Sequence, residues 1–237
     1  MLFSRSSRFT IPAFTLTACF SAPIFANPNQ ESIDIFAIPS NEIVNVVEDT
    51  SQNLNSYGMK SFYDQGKPTH ITLYLTSFPK QAEAEIKSII EKLATTHQAF
   101  PITANGATVT NDHWAFINVD DSTELQRLAD EVTLAVAPLR DTSAAIPDWA
   151  KSYPNKEQAF IRYGSPNVFQ NFEPHLTLLA QETNPKLSEF AEKLQQQPPY
   201  AQGKIVGIGI GIADQWGQQK KILAEYLFQS WYIPAQQ

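Results

Sequence analysis

Apolar positions along the chain switch between a period of two and a period near 3.6, and the switches divide it into strands and helices. Ile33-Asp34-Ile35-Phe36-Ala37-Ile38 predicts a first strand, ended at Pro39. Ser40 then stands as an N-cap for a helix with Ile43, Val44, Val47 and Leu54 on one face. Tyr57 to Gly66 is polar and reads as a loop. Lys80 to Thr95 gives the clearest helical pattern, with a stripe of Ile86, Ile89, Ile90 and Leu93. Thr108-Val109-Thr110 and Trp114 to Val119 read as strands about a turn at Asn111-Asp112. Asp121, with Glu124 as capping-box partner, predicts a helix striped by Leu125, Leu128, Ala129 and Val132. Asp141 to Asn155 is a crossover loop and the predicted boundary between halves. Beyond it, Ala159 to Tyr163 reads as a short strand and Gly164 to Asn171 as a loop. A helix carries Leu187, Phe190, Ala191 and Leu194, and an alternating strand runs from Val206 to Ile212. A turn at Asp214 to Gly217 leads to a last strand over Ile222 to Tyr232.

One strand pattern occurs twice. Pro68-Thr69-His70-Ile71-Thr72-Leu73-Tyr74-Leu75 is answered by Glu173-Pro174-His175-Leu176-Thr177-Leu178-Leu179. Residues i and i+2 of a strand share a face. His70 and Thr72 therefore point one way while Ile71, Leu73 and Leu75 enter a core, and His175 and Thr177 do the same opposite Leu176 and Leu178. Tyr74 shares the His70 face in this reading. The order of elements around the two copies recurs: a strand, the His-Thr strand, a helix and a strand pair.

At 237 residues the chain suits one large domain or two small packed ones, and a net charge of −7 argues against a duplex nucleic acid as partner. Arg5 and Arg8, the uncharged stretch from Ile11 to Phe25, and Ala26 before Asn27-Pro28 together read as an export signal, residues 1–26. The alternative is a lipoprotein box at Leu16-Thr17-Ala18-Cys19, with a lipid anchor on Cys19. Cleavage after Ala26 removes the single cysteine, and with it any disulfide, thiol nucleophile or Cys-based metal site. The expected location is periplasmic or secreted, with no membrane span in the mature protein.

Paired histidines with paired hydroxyls suit phosphodiester chemistry. An ordinary histidine titrates near pH ~6.5, so one ring starts neutral and the other protonated. The neutral ring takes a proton from the attacking oxygen while the charged ring gives one to the leaving oxygen. Threonine hydroxyls bind the non-bridging phosphate oxygens. Neither a metal nor a cofactor is required. A single His-x-Thr would carry no such meaning; two in corresponding places do.

His70-Ile71-Thr72 and His175-Leu176-Thr177 resemble the paired signatures of the 2H phosphoesterase superfamily, which includes the 2′-5′ RNA ligase-like proteins and cyclic phosphodiesterases. Tyr163-Gly164-Ser165-Pro166-Asn167-Val168, leading to Phe172-Glu173-Pro174, is similar to members as well. The resemblance implies an α+β fold: two similar lobes of antiparallel sheet with helices packed outside, pseudo-twofold about a central cleft. The lobes are expected over roughly residues 31–140 and 155–237 of a single domain, 27–237, without being strictly contiguous. It also implies His70 and His175 as general acid and base and Thr72 and Thr177 as phosphate ligands. The roles of the two histidines stay open. The expected substrate is a small nucleotide or oligonucleotide phosphodiester, cleaved by a monomer. The export signal and low basic content depart from many cytosolic relatives.

Other features carry less. Tyr74, Arg162 and Tyr163 are candidate substrate contacts. His97 follows a helix end and His113 sits near a turn, both structural in this reading. Gly207-x-Gly209-x-Gly211 is not a dinucleotide loop, because the glycines alternate within an apolar strand; close packing explains their bare face better than a ligand. Gly164-Ser165-Pro166 is a turn rather than a nucleophile elbow. Two further readings compete with the enzyme: a periplasmic module binding a phosphorylated ligand without turnover, and an interaction protein using the C-terminal aromatics Trp231 and Tyr232.

Overall fold

Alternation along the first strand sets the frame. In β1 (Gln30–Pro39), Ile33, Ile35 and Ala37 point into the main core, while Asp34 and Phe36 occupy the other face. The structure, a computed structural model, describes residues 29–229. The export segment with Cys19, and Trp231 and Tyr232, lie outside the described residues. After β1 come α1 (Asn41–Ser56), β2 (Ile71–Pro79), α2 (Glu83–Thr95), β3 (Phe100–Val109), β4 (Ala115–Val119) and α3 (Thr123–Val136). Beyond these lie α4 (Pro154–Tyr163), β5 (His175–Leu179), α5 (Leu187–Gln196), β6 (Tyr200–Ala213) and β7 (Gln219–Leu227).

The described strands form one antiparallel sheet in the order β2-β1-β6-β3-β4-β5, with β7 also paired to β6. The long strand β6 belongs to both halves. Its residues from Ile205 to Ile212 pair β1, those from Gly207 to Ala213 pair β7, and its first residues, from Tyr200 to Ile205, pair β3. One half of the sheet is thus β2, β1, β6 and β7; the other is β5, β4, β3 and the start of β6. Each half has a His-Thr strand at its edge. The halves interleave along the chain instead of parting at the 141–155 crossover, since the first His-Thr strand is completed by C-terminal strands.

Helical stripes seal the sheet. Ile86 and Ile90 of α2, and Leu125, Leu128, Ala129 and Val132 of α3, are buried, with Ile89 and Leu93 partly so. Local chemistry departs from the sequence reading at four places. Ala159–Tyr163 is not a strand but the end of α4, which starts with Pro154 in its first turn and stops at Gly164, φ 71°. The cap of α3 is Ser122, whose hydroxyl accepts from the Leu125 N–H at 3.3 Å, one place after Asp121. Ser40 precedes α1, but its hydroxyl accepts from the Lys204 N–H at 3.0 Å and so ties the helix start to β6. The last strand ends at Leu227.

The alternating glycines of β6 are explained by neighbouring strands. A Cβ on Gly209 would sit 2.2 Å from the Phe36 ring, and one on Gly211 would sit 2.0 Å from Gln219 Oε1. The bare face therefore admits two side chains from β1 and β7. Gly209→Ala should displace Phe36 and destabilise the protein by roughly 1–3 kcal/mol. Urea denaturation reads this as a lower midpoint at unchanged slope.

Candidate active site

Both His-Thr strands carry a β-bulge at the residue after the threonine. In the β1–β2 pair, Phe36 faces Thr72 and Ile35 faces Tyr74, so Leu73 is the extra residue. In the β4–β5 pair, Phe116 faces Thr177 and Ala115 faces Leu179, so Leu178 is extra. A bulge reverses the facing of the residues beyond it. Each motif therefore keeps its histidine and threonine on one face up to the bulge, and the register changes beyond it. Tyr74 follows Ile35 into the core: it is fully buried, and its hydroxyl donates to the Tyr163 carbonyl. It is no substrate contact. Leu75, for the same reason, shares the face of Asp34 rather than that of Ile35.

The surroundings of the two histidines match. Phe36 meets the His70 ring edge-on with centroids 5.4 Å apart, and Phe116 meets His175 at 4.5 Å. His70 Nδ1 lies 2.9 Å from the Pro68 carbonyl and His175 Nδ1 lies 2.8 Å from that of Glu173. A carbonyl only accepts, so each Nδ1 carries its proton. This leaves Nε2 of both rings for proton transfer. A narrow cleft is lined by His70 and Thr177, one residue from each motif. Phe62, Tyr63, Lys67 and Gln218 also line it.

The electrostatics do not match. His70 Nε2 lies 3.5 Å from Asp34 Oδ2, which also accepts from Gln219 Nε2 at 2.6 Å and Thr72 Oγ1 at 3.2 Å. Burial pushes the Asp34 carboxyl up to about 6, against the pull of these three partners. Among the described residues no carboxylate acts on His175; burial pushes its ring down to about 4, and the nearby His70 adds to the effect. The Thr177 hydroxyl has no protein partner among the described residues and opens to the cleft, whereas that of Thr72 is held by Asp34. Asp34, Gln219 and Lys67 are not singled out by the sequence; a lone aspartate among β-strand apolar residues reads as a solvent-facing position.

Arg162 is exposed on α4, and neither it nor Tyr163 lines the cleft. The Tyr163 ring packs on Phe169 at 4.6 Å. His97 pairs with Glu131 at 3.2 Å beside Phe228, and His113 occupies a turn at φ 62°. No metal-binding group of three His, Cys, Asp or Glu is present among the described residues.

A sequence profile of the 2′-5′ RNA ligase superfamily matches residues 42–214, which is most of the chain and includes both motifs. The chain belongs to this superfamily. Solved structures of the 2′-5′ RNA ligase-like fold agree with the architecture. TT0787 of Thermus thermophilus is 15% identical with a TM-score of 0.54, over 83% of this chain and 97% of that one. E. coli LigT complexed with 3′-AMP is 11% identical with a TM-score of 0.52, over 85% and 99% of the two chains. No curated protein matches the chain by sequence. Membership in a superfamily of phosphoesterases and ligases makes this an enzyme fold for phosphodiester chemistry, the 2H class expected from the two motifs.

Proposed function

We propose that the protein is an exported phosphodiesterase that hydrolyses a cyclic phosphate or a 2′-5′ or 3′-terminal nucleotide linkage without a metal. The observation that carries this reading is the matched pair of rings. Each is fixed through Nδ1 to a carbonyl of its own chain, backed by a cross-strand phenylalanine and left with Nε2 for chemistry. One ring deprotonates the attacking water and the other protonates the leaving oxygen. Thr177, and Thr72 once substrate competes with Asp34 for its hydroxyl, bind the non-bridging oxygens. The cleft beside them, with the aromatic Phe62 and Tyr63 and the single cation Lys67, suits a small nucleotide better than a long polyanion. The 3′-AMP complex of LigT supports a nucleotide as substrate class. Export rests on the leader sequence.

The test is turnover of 2′,3′-cyclic nucleotides and 2′-5′-linked dinucleotides by the purified protein in EDTA, beside the His175→Ala variant. Turnover that survives the chelator and vanishes in the variant is expected. Binding without turnover would favour the binding module, and activity restored only by metal would overturn the metal-free mechanism.

A further inference from the structure

The two halves of the site differ at one position. Two residues before the phenylalanine that faces each threonine, β1 has Asp34, and the chain entering β4 has Trp114. Trp114 is buried and stacks on Phe116, so beside His175 a buried aromatic ring stands where His70 has a carboxylate, and the charges that act on His175 are the cation of Lys156 and the ring of His70. We propose that Asp34, clamped by Gln219 and facing His70 Nε2, holds the proton on that ring and so makes His70 the general acid and His175 the general base. The proposal rests on the phosphodiesterase reading above.

Several observations converge on it. A carboxylate with no exposed surface is costly, and here Oδ1 has no partner while Oδ2 receives all the contacts. They come from His70, from the threonine of the same motif and from Gln219 of β7. Gly211 lacks the Cβ that would block Gln219, so β6 and β7 are shaped to bring this amide onto the acid. A purely structural position between strands would be served at lower cost by an apolar residue. The other charged groups around His70 are Lys67, already paired with Asp214 at 3.2 Å, and the ring of His175. Neither competes with Asp34 for the His70 proton, because Lys67 carries only donors and His175 repels a second positive charge. The low proton affinity of His175 fits a ring that begins the reaction neutral.

In the resulting step His175 Nε2 removes a proton from water as the water oxygen bonds to phosphorus. The bond from phosphorus to the leaving oxygen breaks, and that oxygen takes the proton from His70 Nε2. The water is divided between the product phosphate and the product alcohol. Solvent then carries the proton gained by His175 back to His70. Asp34 touches neither water nor phosphate; it is a positioning residue acting through His70.

Asp34→Asn tests this, with the two ring C–H signals followed by NMR across pH. His70 should release its proton about one pH unit lower than in wild type, or further, while His175 stays in place. An unmoved His70 overturns the proposal. In the same variant, kcat/KM for a 2′,3′-cyclic nucleotide should fall tenfold or more at alkaline pH, its descending limb moving down with His70. A p-nitrophenyl phosphodiester, whose leaving group needs no proton, should lose far less. Equal losses on both substrates at every pH would mean a structural role and overturn the assignment. If Asp34→Asn does not fold, Gln219→Met removes the clamp alone and should shift His70 in the same direction by less; no shift overturns the proposal. A wild-type protein that turns over neither substrate defeats the phosphodiesterase reading instead, while the titration still decides whether Asp34 holds the His70 proton.

Discussion

His70→Ala and His175→Ala should each lower kcat/KM on a 2′,3′-cyclic nucleotide by about 10²–10⁴-fold, the usual worth of a positioned proton donor or acceptor. The two losses should then separate on an activated substrate. A p-nitrophenoxide departs without help, so the variant lacking the acid regains most of its rate with that leaving group. The variant lacking the base does not, since water still has to be deprotonated. With the roles inferred from Asp34, His70→Ala is the variant that recovers. Recovery of His175→Ala instead would exchange the roles, and full activity in both variants would remove the histidines from the chemistry. Each Nδ1 bonds two residues back along its own chain, but His70 Nε2 also faces the buried Asp34, so the His70→Ala comparison is read beside a urea midpoint for both variants.

Much of this site is legible because its two halves repeat. His70-Ile71-Thr72 and His175-Leu176-Thr177 are recognisable only as a pair, and period-two alternation gives the shared face of each histidine and its threonine. The same rule misplaces Tyr74. Alternation propagates a face only while the register holds, and the bulge at Leu73 reverses it one residue after the threonine. Nothing in Leu73 or Leu178 marks a bulge, as both are ordinary apolar strand residues. The Ala159–Tyr163 error has another origin. Five residues of mixed pattern do not separate strand from helix, but Pro154 before them and Gly164 after them are the two ends of a helix.

Asp34 shows what a pattern cannot carry. Within Ile33–Ile38 it occupies the position where alternation assigns a polar residue to water, and it is fully buried instead. The reason is tertiary: β2 and β6 flank β1, and Gln219 reaches it from β7 across the bare Gly211. The glycine run does hold the clue, since its missing side chains have to be replaced by something. Packing is the right reading, with Phe36 and Gln219 as the occupants; both belong to the environment of His70.

Stability should change little between about pH 4 and pH 6.5 through Asp34 and His175 together, yet change in opposite directions when either is replaced. Asp34 moves from 3.8 to about 6 on folding. Below 3.8 both states hold its proton. As pH rises toward 6 the unfolded chain gives up that proton and the folded protein keeps it, so this group makes stability fall with rising pH. His175 moves from 6.5 to about 4. Above 6.5 both states are neutral. As pH falls toward 4 the unfolded chain binds a proton that the folded ring refuses, so this group makes stability rise with rising pH. At about 1.36 kcal/mol per pKa unit each slope amounts to roughly 2–3 kcal/mol, the lower end for the half-buried His175 ring. Asp34→Asn should therefore expose the rising slope and His175→Gln the falling one, read as urea midpoints measured at half-unit steps. Two variants that track the wild-type curve would refute both shifts. The opposition has a single origin, because burial desolvates both groups. Burial favours the uncharged form of each, which for the acid means keeping a proton and for the imidazole means losing one.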